Sequence, residues 1–324
     1  MRRMFVFIVI ALVFLSGCTG DESTTTTPVS SYEGMSTSAY AGSFPSSVYE
    51  GELIPMQFLV ENKGDYNVDS GDYFLKIKGI NPTVLGLDKN DLQKFSSEDM
   101  DAISSFGDET IVNGQEVITV SASACYNNDL ENDLTLSVHA KSCYIYGTTA
   151  SAPVCFVKIS GTGEGICSPS GFKTVTNTIA PVAVIEFAQS PAGENNGNPR
   201  YRFRVKVQNM GPGTVFDKNI KDDFGQINLG SCDDISASDK NVVYIDSIML
   251  DGAEIDNLIY EGISDDSFFR LDSTGTGRFS FIIEQGSDLE YEGDLDIEFS
   301  YAYTQTDVFR TVITALPDQA PNCP

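Results

Sequence analysis

Residues 201–209 read Tyr-Arg-Phe-Arg-Val-Lys-Val-Gln-Asn, an alternation of apolar and polar side chains. Successive side chains of a β-strand point to opposite faces of its sheet, so this stretch predicts a strand with one buried and one solvated face. The same period of two recurs at residues 54–60, 73–77, 116–124 and 134–140. The chain is therefore predicted to be all-β, with the strands at 116–124 and 134–140 adjacent to each other.

A short turn motif follows two of these strands. Asn209-Met210-Gly211 ends the strand quoted above, and Asn62-Lys63-Gly64 ends an earlier one. Residues 134–146 also align with residues 295–303, if a short insertion is allowed for. A repeat of roughly 145–160 residues predicts tandem domains, because solenoid repeats are much shorter.

This pattern resembles the CARDB-type and related immunoglobulin-like modules of prokaryotic cell-surface proteins, in which an alternating strand ends in an Asn-x-Gly turn. The resemblance implies two tandem immunoglobulin-like β-sandwich domains, at residues 44–170 and 178–324. Residues 86–110 and 217–270 depart from the pattern because they exceed a minimal module. Residues 86–110 also lack a period of two and are predicted to hold a short helix or a long loop.

The N-terminus has the features of an export signal. Arg2 and Arg3 precede an apolar run from Phe5 to Leu15. As a helix, this run is too short to cross the roughly 30 Å hydrocarbon core of a bilayer. Residues 1–17 are therefore predicted to be a signal peptide rather than a transmembrane helix.

The sequence Leu15-Ser16-Gly17-Cys18 resembles the lipobox of prokaryotic lipoproteins. The resemblance implies that Cys18 receives a diacylglyceryl group, which anchors the protein to the cell membrane outside the cytoplasm, facing the exterior or the periplasm. The alternative is an ordinary signal peptide with an incidental cysteine. Residues 18–43 are rich in Ser and Thr and nearly without large aliphatic side chains, so they are predicted to be a flexible lipidated tether.

The chain of 324 residues is strongly acidic. It carries 20 Lys and Arg against 46 Asp and Glu, a formal net charge of −26. A surface with this charge repels nucleic acid and anionic headgroups, so neither is expected as a partner. Solubility in a salty or calcium-containing exterior explains the charge without any partner, and a specific cationic partner is the alternative.

Six cysteines remain once Cys18 is assigned to the lipid. An even number in an exported chain with one histidine and no C-x-x-C spacing favours disulfides over a zinc site. Strand phase would place two of them on one outer face of adjacent strands, and two others flank a glycine-rich turn. The favoured pairing is Cys125–Cys143, Cys155–Cys167 and Cys232–Cys323.

The long acidic segment at residues 217–270 is the predicted contact region of the second domain. It combines clustered carboxylates with two aromatic residues that the pattern suggests are exposed. The predicted contact residues are Asp217, Asp222, Asp223, Asp233, Asp234, Phe268 and Phe269. Since no D-x-D-x-D-G spacing occurs, no cofactor or metal is predicted, and a weakly bound calcium ion is the alternative.

Residue types suited to catalysis are scarce. The single histidine, His139, lies on the polar phase of its strand, no Gly-x-Ser-x-Gly occurs, and the chain has no tryptophan for stacking on sugars. The sequence therefore predicts a non-catalytic surface protein that contacts another surface macromolecule or a copy of itself. The alternatives are a solute-binding lipoprotein of an importer, which would normally show an α/β pattern, and a secreted hydrolase.

Overall fold

Two very long strands run side by side through the centre of the molecule. One spans Leu134–Phe156 and the other Tyr291–Thr314, and they pair antiparallel from Leu134 opposite Ile313 to Phe156 opposite Tyr291. The computed structural model describes residues 32–103, 105–106, 109–110, 113–157, 167–219, 228–255, 258–261, 263, 267–286, 290–316 and 321–323. Within these residues the chain is an all-β sandwich fold of mostly antiparallel sheets.

The strands are numbered along the chain. They are β1 (Met35–Ala39), β2 (Ser47–Tyr49), β3 (Met56–Asn62), β4 (Tyr73–Lys78), β5 (Gln93–Phe95), β6 (Ser105–Phe106), β7 (Glu109–Thr110), β8 (Gln115–Ser121), β9 (Leu134–Phe156), β10 (Gly171–Lys173), β11 (Thr176–Asn177), β12 (Val182–Asn195), β13 (Asn198–Asn209), β14 (Thr214–Phe216), β15 (Val242–Leu250), β16 (Ala253–Glu254), β17 (Ile259–Glu261), β18 (Phe268–Arg270), β19 (Thr276–Glu284) and β20 (Tyr291–Thr314). Short 3₁₀ helices lie at Pro82–Leu85, Lys89–Leu92 and Leu229–Ser231. The segment 86–110 thus holds one such helical turn, followed by β5.

The described strands form three main sheets. β9 and β20 lie at the centre of a ten-stranded sheet with the order β16-β15-β20-β9-β4-β5, and β2, β11, β14 and β18 pair along its sides. A second sheet has the order β1-β3-β8, and a third has the order β10-β12-β13-β19-β17. The two-residue strands β6 and β7 pair with each other.

Both smaller sheets pack on the same face of the ten-stranded sheet. Even-numbered residues of β9 point to that face, because side chains alternate along a strand. Tyr144 reaches the three-stranded sheet, where its hydroxyl accepts a hydrogen bond from the amide of Met35 at 3.3 Å. Phe156 packs edge-on against Phe203 of the five-stranded sheet, with ring centroids 6.4 Å apart. The molecule is therefore two sandwiches, side by side, that share one layer.

The predicted boundary between residues 170 and 178 does not interrupt the shared sheet. β9 lies in the first predicted domain and β20 in the second, yet the two strands pair over their whole length. The described residues accordingly form one unit. Each half keeps a smaller sheet of its own, which is why the sequence pattern has the appearance of two modules.

The folded part begins earlier than the tether prediction allowed. Residues 35–39 lie within the predicted tether of residues 18–43, but they form β1, which pairs with β3. Met35 is buried, and Thr37 shares a 2.7 Å hydrogen bond with the hydroxyl of Tyr73. Main-chain pairing with β3 and the burial of Met35 and Thr37 together fix this strand, although most of its side chains are small. The remainder of the predicted tether up to residue 31 lies outside the described residues.

Four buried tyrosines mark the line where the two sandwiches meet. Tyr144 lies opposite Tyr303 and Tyr146 lies opposite Tyr301 in the central ladder, and all four are fully buried. Burial raises the pKa of each phenol, that of Tyr303 to about 12. The hydroxyls are therefore neutral hydrogen-bonding groups at physiological pH.

In the first half, one of these tyrosines completes the Asn-x-Gly turn. Asn62 is fully buried, and its Oδ1 accepts hydrogen bonds from the Gly64 amide at 3.2 Å and the Tyr146 hydroxyl at 2.9 Å. Its Nδ2 donates to the carbonyl of Tyr66, four residues on, at 2.6 Å. A Cβ on Gly64 would collide with the Tyr146 hydroxyl and with the carbonyl oxygen of Ile179.

The second half repeats this arrangement. Asn209 Oδ1 accepts from the Gly211 amide at 3.2 Å and from the Tyr303 hydroxyl at 3.3 Å, while Asn209 Nδ2 donates to the carbonyl of Gly213 at 2.9 Å. A Cβ on Gly211 would collide with the Tyr303 hydroxyl. The repeat predicted from the sequence is therefore also a repeat of side-chain contacts, and glycine is required because the tyrosine occupies the space of a side chain.

Six cysteines form three disulfides, and only part of the predicted pairing is confirmed. The bonds are Cys125–Cys323, Cys143–Cys232 and Cys155–Cys167, with Cα atoms 5.8, 6.5 and 5.8 Å apart. The prediction of Cys155–Cys167 is confirmed, whereas Cys125–Cys143 and Cys232–Cys323 are wrong. β8 pairs with β3 rather than with β9, so Cys125 and Cys143 are not on adjacent strands. Three disulfides are typical of proteins in oxidising, extracytoplasmic compartments.

The two Asn-x-Gly turns give a matched test of this packing. Gly211→Ala should lower the free energy of unfolding by about 1–3 kcal/mol, because the added methyl group collides with the buried Tyr303 side chain. Adding Tyr303→Phe should relieve part of that loss, since the colliding hydroxyl is removed. Gly64→Ala should not be relieved by Tyr146→Phe, because the Ile179 carbonyl still occupies the site. Denaturant unfolding of the full chain with its disulfides intact measures the single and double variants at each turn. Additive effects of Gly211→Ala and Tyr303→Phe would contradict the packing described.

Candidate functional site

Part of the predicted contact region is docked onto the sheet rather than free. Residues 229–235 cover the face of the ten-stranded sheet that is opposite to the smaller sheets. Cys232 is bonded to Cys143 of β9. A small second core lies beneath the segment and consists of Phe74, Cys143, Phe216, Leu229, Cys232 and Ala302. Residues 229–235 are therefore a structural part of the scaffold, and we call them the docked segment.

The carboxylate of Asp233 is the electrostatic anchor of the docked segment. Its oxygens lie 2.8 Å from Lys76 Nζ, 2.7 Å from Lys78 Nζ and 3.0 Å from Lys141 Nζ. Lys141 Nζ also donates to the carbonyl of Cys232 at 2.9 Å. Partial burial raises the pKa of Asp233, but the three lysines more than offset this and hold the pKa well below its usual range.

The other predicted acidic contacts are dispersed. Asp217 accepts hydrogen bonds from the Tyr244 hydroxyl at 2.9 Å and from the amide of Asn219 at 2.7 Å, so it shapes its own loop. Asp234 is exposed. Asp222 and Asp223 lie outside the described residues. The structure thus brings the described acids to different places instead of gathering them into one surface.

The prediction that Phe268 and Phe269 are both exposed is wrong for Phe269. Phe269 is buried and stacks on Phe279 with ring centroids 5.0 Å apart, because β18 pairs with β15 and turns this side chain into the core. Phe268 is partly buried, with the Arg270 guanidinium 5.5 Å from its ring centroid. Adjacent strand residues face opposite sides, so at most one of the two was available to solvent.

A groove on the outer face of the five-stranded sheet is the better candidate site. One row across this sheet aligns Phe172, Ala188, Arg204, Ser280 and Glu261. Phe172 is 76% exposed. Because Ala188 and Ser280 are small, the row leaves a depression of about 550 Å³ between larger side chains. We call this depression the basic groove, after Arg204, Lys206 and Arg278, which line it together with Glu186 and Glu261.

The cations of the basic groove have no described anionic partner within ion-pair distance. Neighbouring arginines are paired, since Arg202 lies 3.0 Å from Glu261 and Arg200 lies 4.0 Å from Glu284. Arg204, Lys206 and Arg278 form no such pair with a described residue. Lys206 lies opposite Glu186 on one neighbouring strand and opposite Arg278 on the other, and like charges in such a position cost stability. The three cations outnumber the two lining carboxylates, of which Glu261 is already paired with Arg202. In a chain of net charge −26, this local excess of cations favours an anionic partner.

Sequence reasoning missed the basic groove although its signal was present. Arg200, Arg202, Arg204 and Lys206 occupy every second position of the strand that predicted the fold. This alternation was interpreted only as the solvated face of a strand. Phe172 of β10 and Arg278 of β19 lie beside these cations because of the order of strands in the sheet. The alternation of side chains along one strand does not specify that order.

The described residues contain no group of three or more His, Cys, Asp or Glu side chains arranged to hold a metal ion. His139 lies in β9 on the outer, polar phase of the strand, in agreement with the sequence prediction, and it is partly buried. Among the described residues no helix has the length and apolar character to cross a membrane.

No family profile and no curated protein matches the chain. One matching solved structure is the envelope protein VP37 of White Spot Syndrome Virus, at 13% identity over 50% of this chain and 98% of that one, with a TM-score of 0.24. At this TM-score the likeness carries no argument about fold or function.

Replacing Asp233 tests the anchor of the docked segment. Asp233→Asn should lower the free energy of unfolding at pH 7 by about 1–2 kcal/mol, less than for a fully buried pair because the lysines are partly solvated. The folded-state pKa is depressed, so this contribution is present above the unfolded pKa of about 3.9 and is lost as pH falls through the lower folded value.

Urea unfolding of the full chain at pH 7, 5 and 3 measures the difference between wild type and Asp233→Asn. Asp234→Asn is the matched control, because this neighbouring carboxylate is exposed. An equal loss for both variants, or a difference that grows toward low pH, would contradict the role assigned to Asp233.

Proposed function

We propose that the chain is a lipid-anchored, extracytoplasmic surface protein that acts without catalysis, by contacting another surface macromolecule or a copy of itself. The observation that carries this proposal is the basic groove, an open binding surface on a rigid scaffold. A rigid framework that holds binding side chains in place is the usual setting of recognition.

The construction of the scaffold supports a role in presentation and contact. Three disulfides and one continuous sheet hold both halves in a fixed arrangement. Cys125–Cys323 ties the end of the chain to the first half across 198 residues of sequence. A surface fixed in this way loses little conformational entropy when a partner binds.

The form of the groove favours an extended or macromolecular partner over a small solute. Small-molecule sites are usually concave and bury most of the ligand. The basic groove instead lies along the open outer face of the five-stranded sheet, with Phe172 standing at its edge. An exposed aromatic side chain next to cations is the composition expected of a protein contact surface.

The lipid anchor is tested at Cys18, which lies outside the described residues. Cys18→Ser should move the protein from the membrane fraction into the medium or periplasm, because the apolar run before it is removed with the signal peptide. One acyl chain gives marginal membrane binding and two give stable anchoring. Fractionation and mass spectrometry of the N-terminal peptide provide the measurement, with Ser16→Ala as a control that keeps the thiol. A Cys18→Ser protein that stays membrane-bound would contradict the anchor.

A further inference from the structure

The two outer faces of the second sandwich differ in charge, since one holds an excess of cations among a few glutamates and the other a row of acids. One is the outer face of the five-stranded sheet, where cations occupy alternate positions of β13. The other is the opposite side of the ten-stranded sheet, where acids occupy alternate positions of β20. These acids, here called the acidic ladder, are Glu292, Asp294, Asp296 and Glu298. None of them forms an ion pair with a described residue, and Glu292 and Asp294 are exposed.

The two charge rows have the same spacing. Alternate residues of a strand lie about 6.5–7 Å apart on one face, so four charges span about 20 Å in each row. The cationic row of β13 consists of Arg200 and Arg202, which are paired with Glu284 and Glu261, and of Arg204 and Lys206, which form no ion pair with a described residue. We propose that the basic groove of one copy of this chain binds the acidic ladder of a second copy. This proposal deepens the contact role given above and rests on it, but it does not depend on the lipid at Cys18.

The acidic ladder also offers an apolar surface to the exposed aromatic side chain of the groove. Pro153 of β9 lies opposite Asp294, and Met249 of β15 lies opposite Asp296. Both side chains are partly exposed. Phe172 can therefore bury part of its ring between carboxylates, which gives the interface an aromatic anchor surrounded by charge pairs.

The geometry of the proposed contact fixes the type of assembly. Groove and ladder are different surfaces on opposite sides of one sandwich, so the interface is heterologous. Each copy then has one free groove and one free ladder, and the series continues until it closes into a ring or extends as a chain. If the copies are held on one membrane, a contact of this kind connects them side by side.

The net charge of −26 sets the conditions under which association occurs. Two copies repel each other at long range, but the Debye length is about 8 Å at 0.15 M salt, so charges in direct contact dominate there. At about 0.01 M salt the repulsion reaches about 30 Å and opposes association, and at 1 M salt the contact itself is screened. Association should therefore be strongest at intermediate salt.

Two variants of the full-length chain, each with its own C-terminal tag and purified in detergent, separate the two surfaces. The groove variant carries Arg204→Glu and Arg278→Glu, and the ladder variant carries Asp294→Asn and Asp296→Asn. A control with Lys240→Glu and Arg310→Glu changes the net charge as much as the groove variant does, at exposed cations outside the groove.

Wild type should capture differently tagged wild type at 0.15 M salt, and sedimentation should show masses that grow with concentration. Each variant alone should capture itself about tenfold less well, because one side of the charge contact is lost. A mixture of the two variants should regain capture and stop at the dimer, since it holds one intact groove and one intact ladder. The control should behave like wild type.

The proposal is overturned if wild type does not capture itself, if either variant self-associates like wild type, or if the mixture stays apart. Incubation of the same wild-type bait with the organism's envelope fraction distinguishes a failure of head-to-tail assembly from a failure of the proposed function. Specific capture of an acidic polysaccharide or another protein through the groove, without self-capture, would overturn head-to-tail assembly and leave the contact role standing. The absence of any specific capture would overturn both head-to-tail assembly and the contact role.

Discussion

The antiparallel ladder between β9 and β20 is the constraint on which the rest of the structure depends. It runs from Leu134 opposite Ile313 to Phe156 opposite Tyr291, so strands from distant parts of the sequence must be in one register. A slip of one residue would turn every side chain of either strand to the wrong face. The buried tyrosines at the centre of the ladder fix that register, because their hydroxyls have defined partners in both smaller sheets.

This ladder explains why the Asn-x-Gly motif occurs in both halves. Asn62 and Asn209 each receive a tyrosine hydroxyl from the central strands, and the glycine two residues later leaves room for it. The Asn-x-Gly motif is thus a docking point between the smaller sheets and the shared sheet as well as a turn. Because both modules dock in this way on a pair of adjacent strands, they form a single unit rather than two domains joined by a linker.

Much of the fold could be predicted from the sequence, because the alternation of apolar side chains reports which residues of a strand are buried. It identified the strands around β3, β9 and β13, and the repeat between the halves. Partners in a sheet are not encoded in that alternation, which is why β8 was assigned to β9 and why Cys125 was paired with Cys143. β1 was missed for a related reason, since main-chain pairing holds it and its side chains are mostly small.

The candidate site shows the same limit. Acidic and aromatic residues of the segment 217–270 looked like a contact surface, but Asp233 is neutralised by three lysines and Phe269 is in the core. The basic groove instead combines side chains from β10, β13 and β19, which only the sheet order brings together. An outward-facing arginine on a strand has the pattern of a solvated face, and its lack of a partner becomes visible only in three dimensions.

Because the two halves share this ladder, we expect them to unfold as a single cooperative unit. Differential scanning calorimetry of the purified full chain with its disulfides intact tests this most directly. A single cooperative unit gives one transition, with a calorimetric enthalpy equal to the van't Hoff enthalpy. Two separable transitions, each accounting for about half of the total enthalpy, would contradict it.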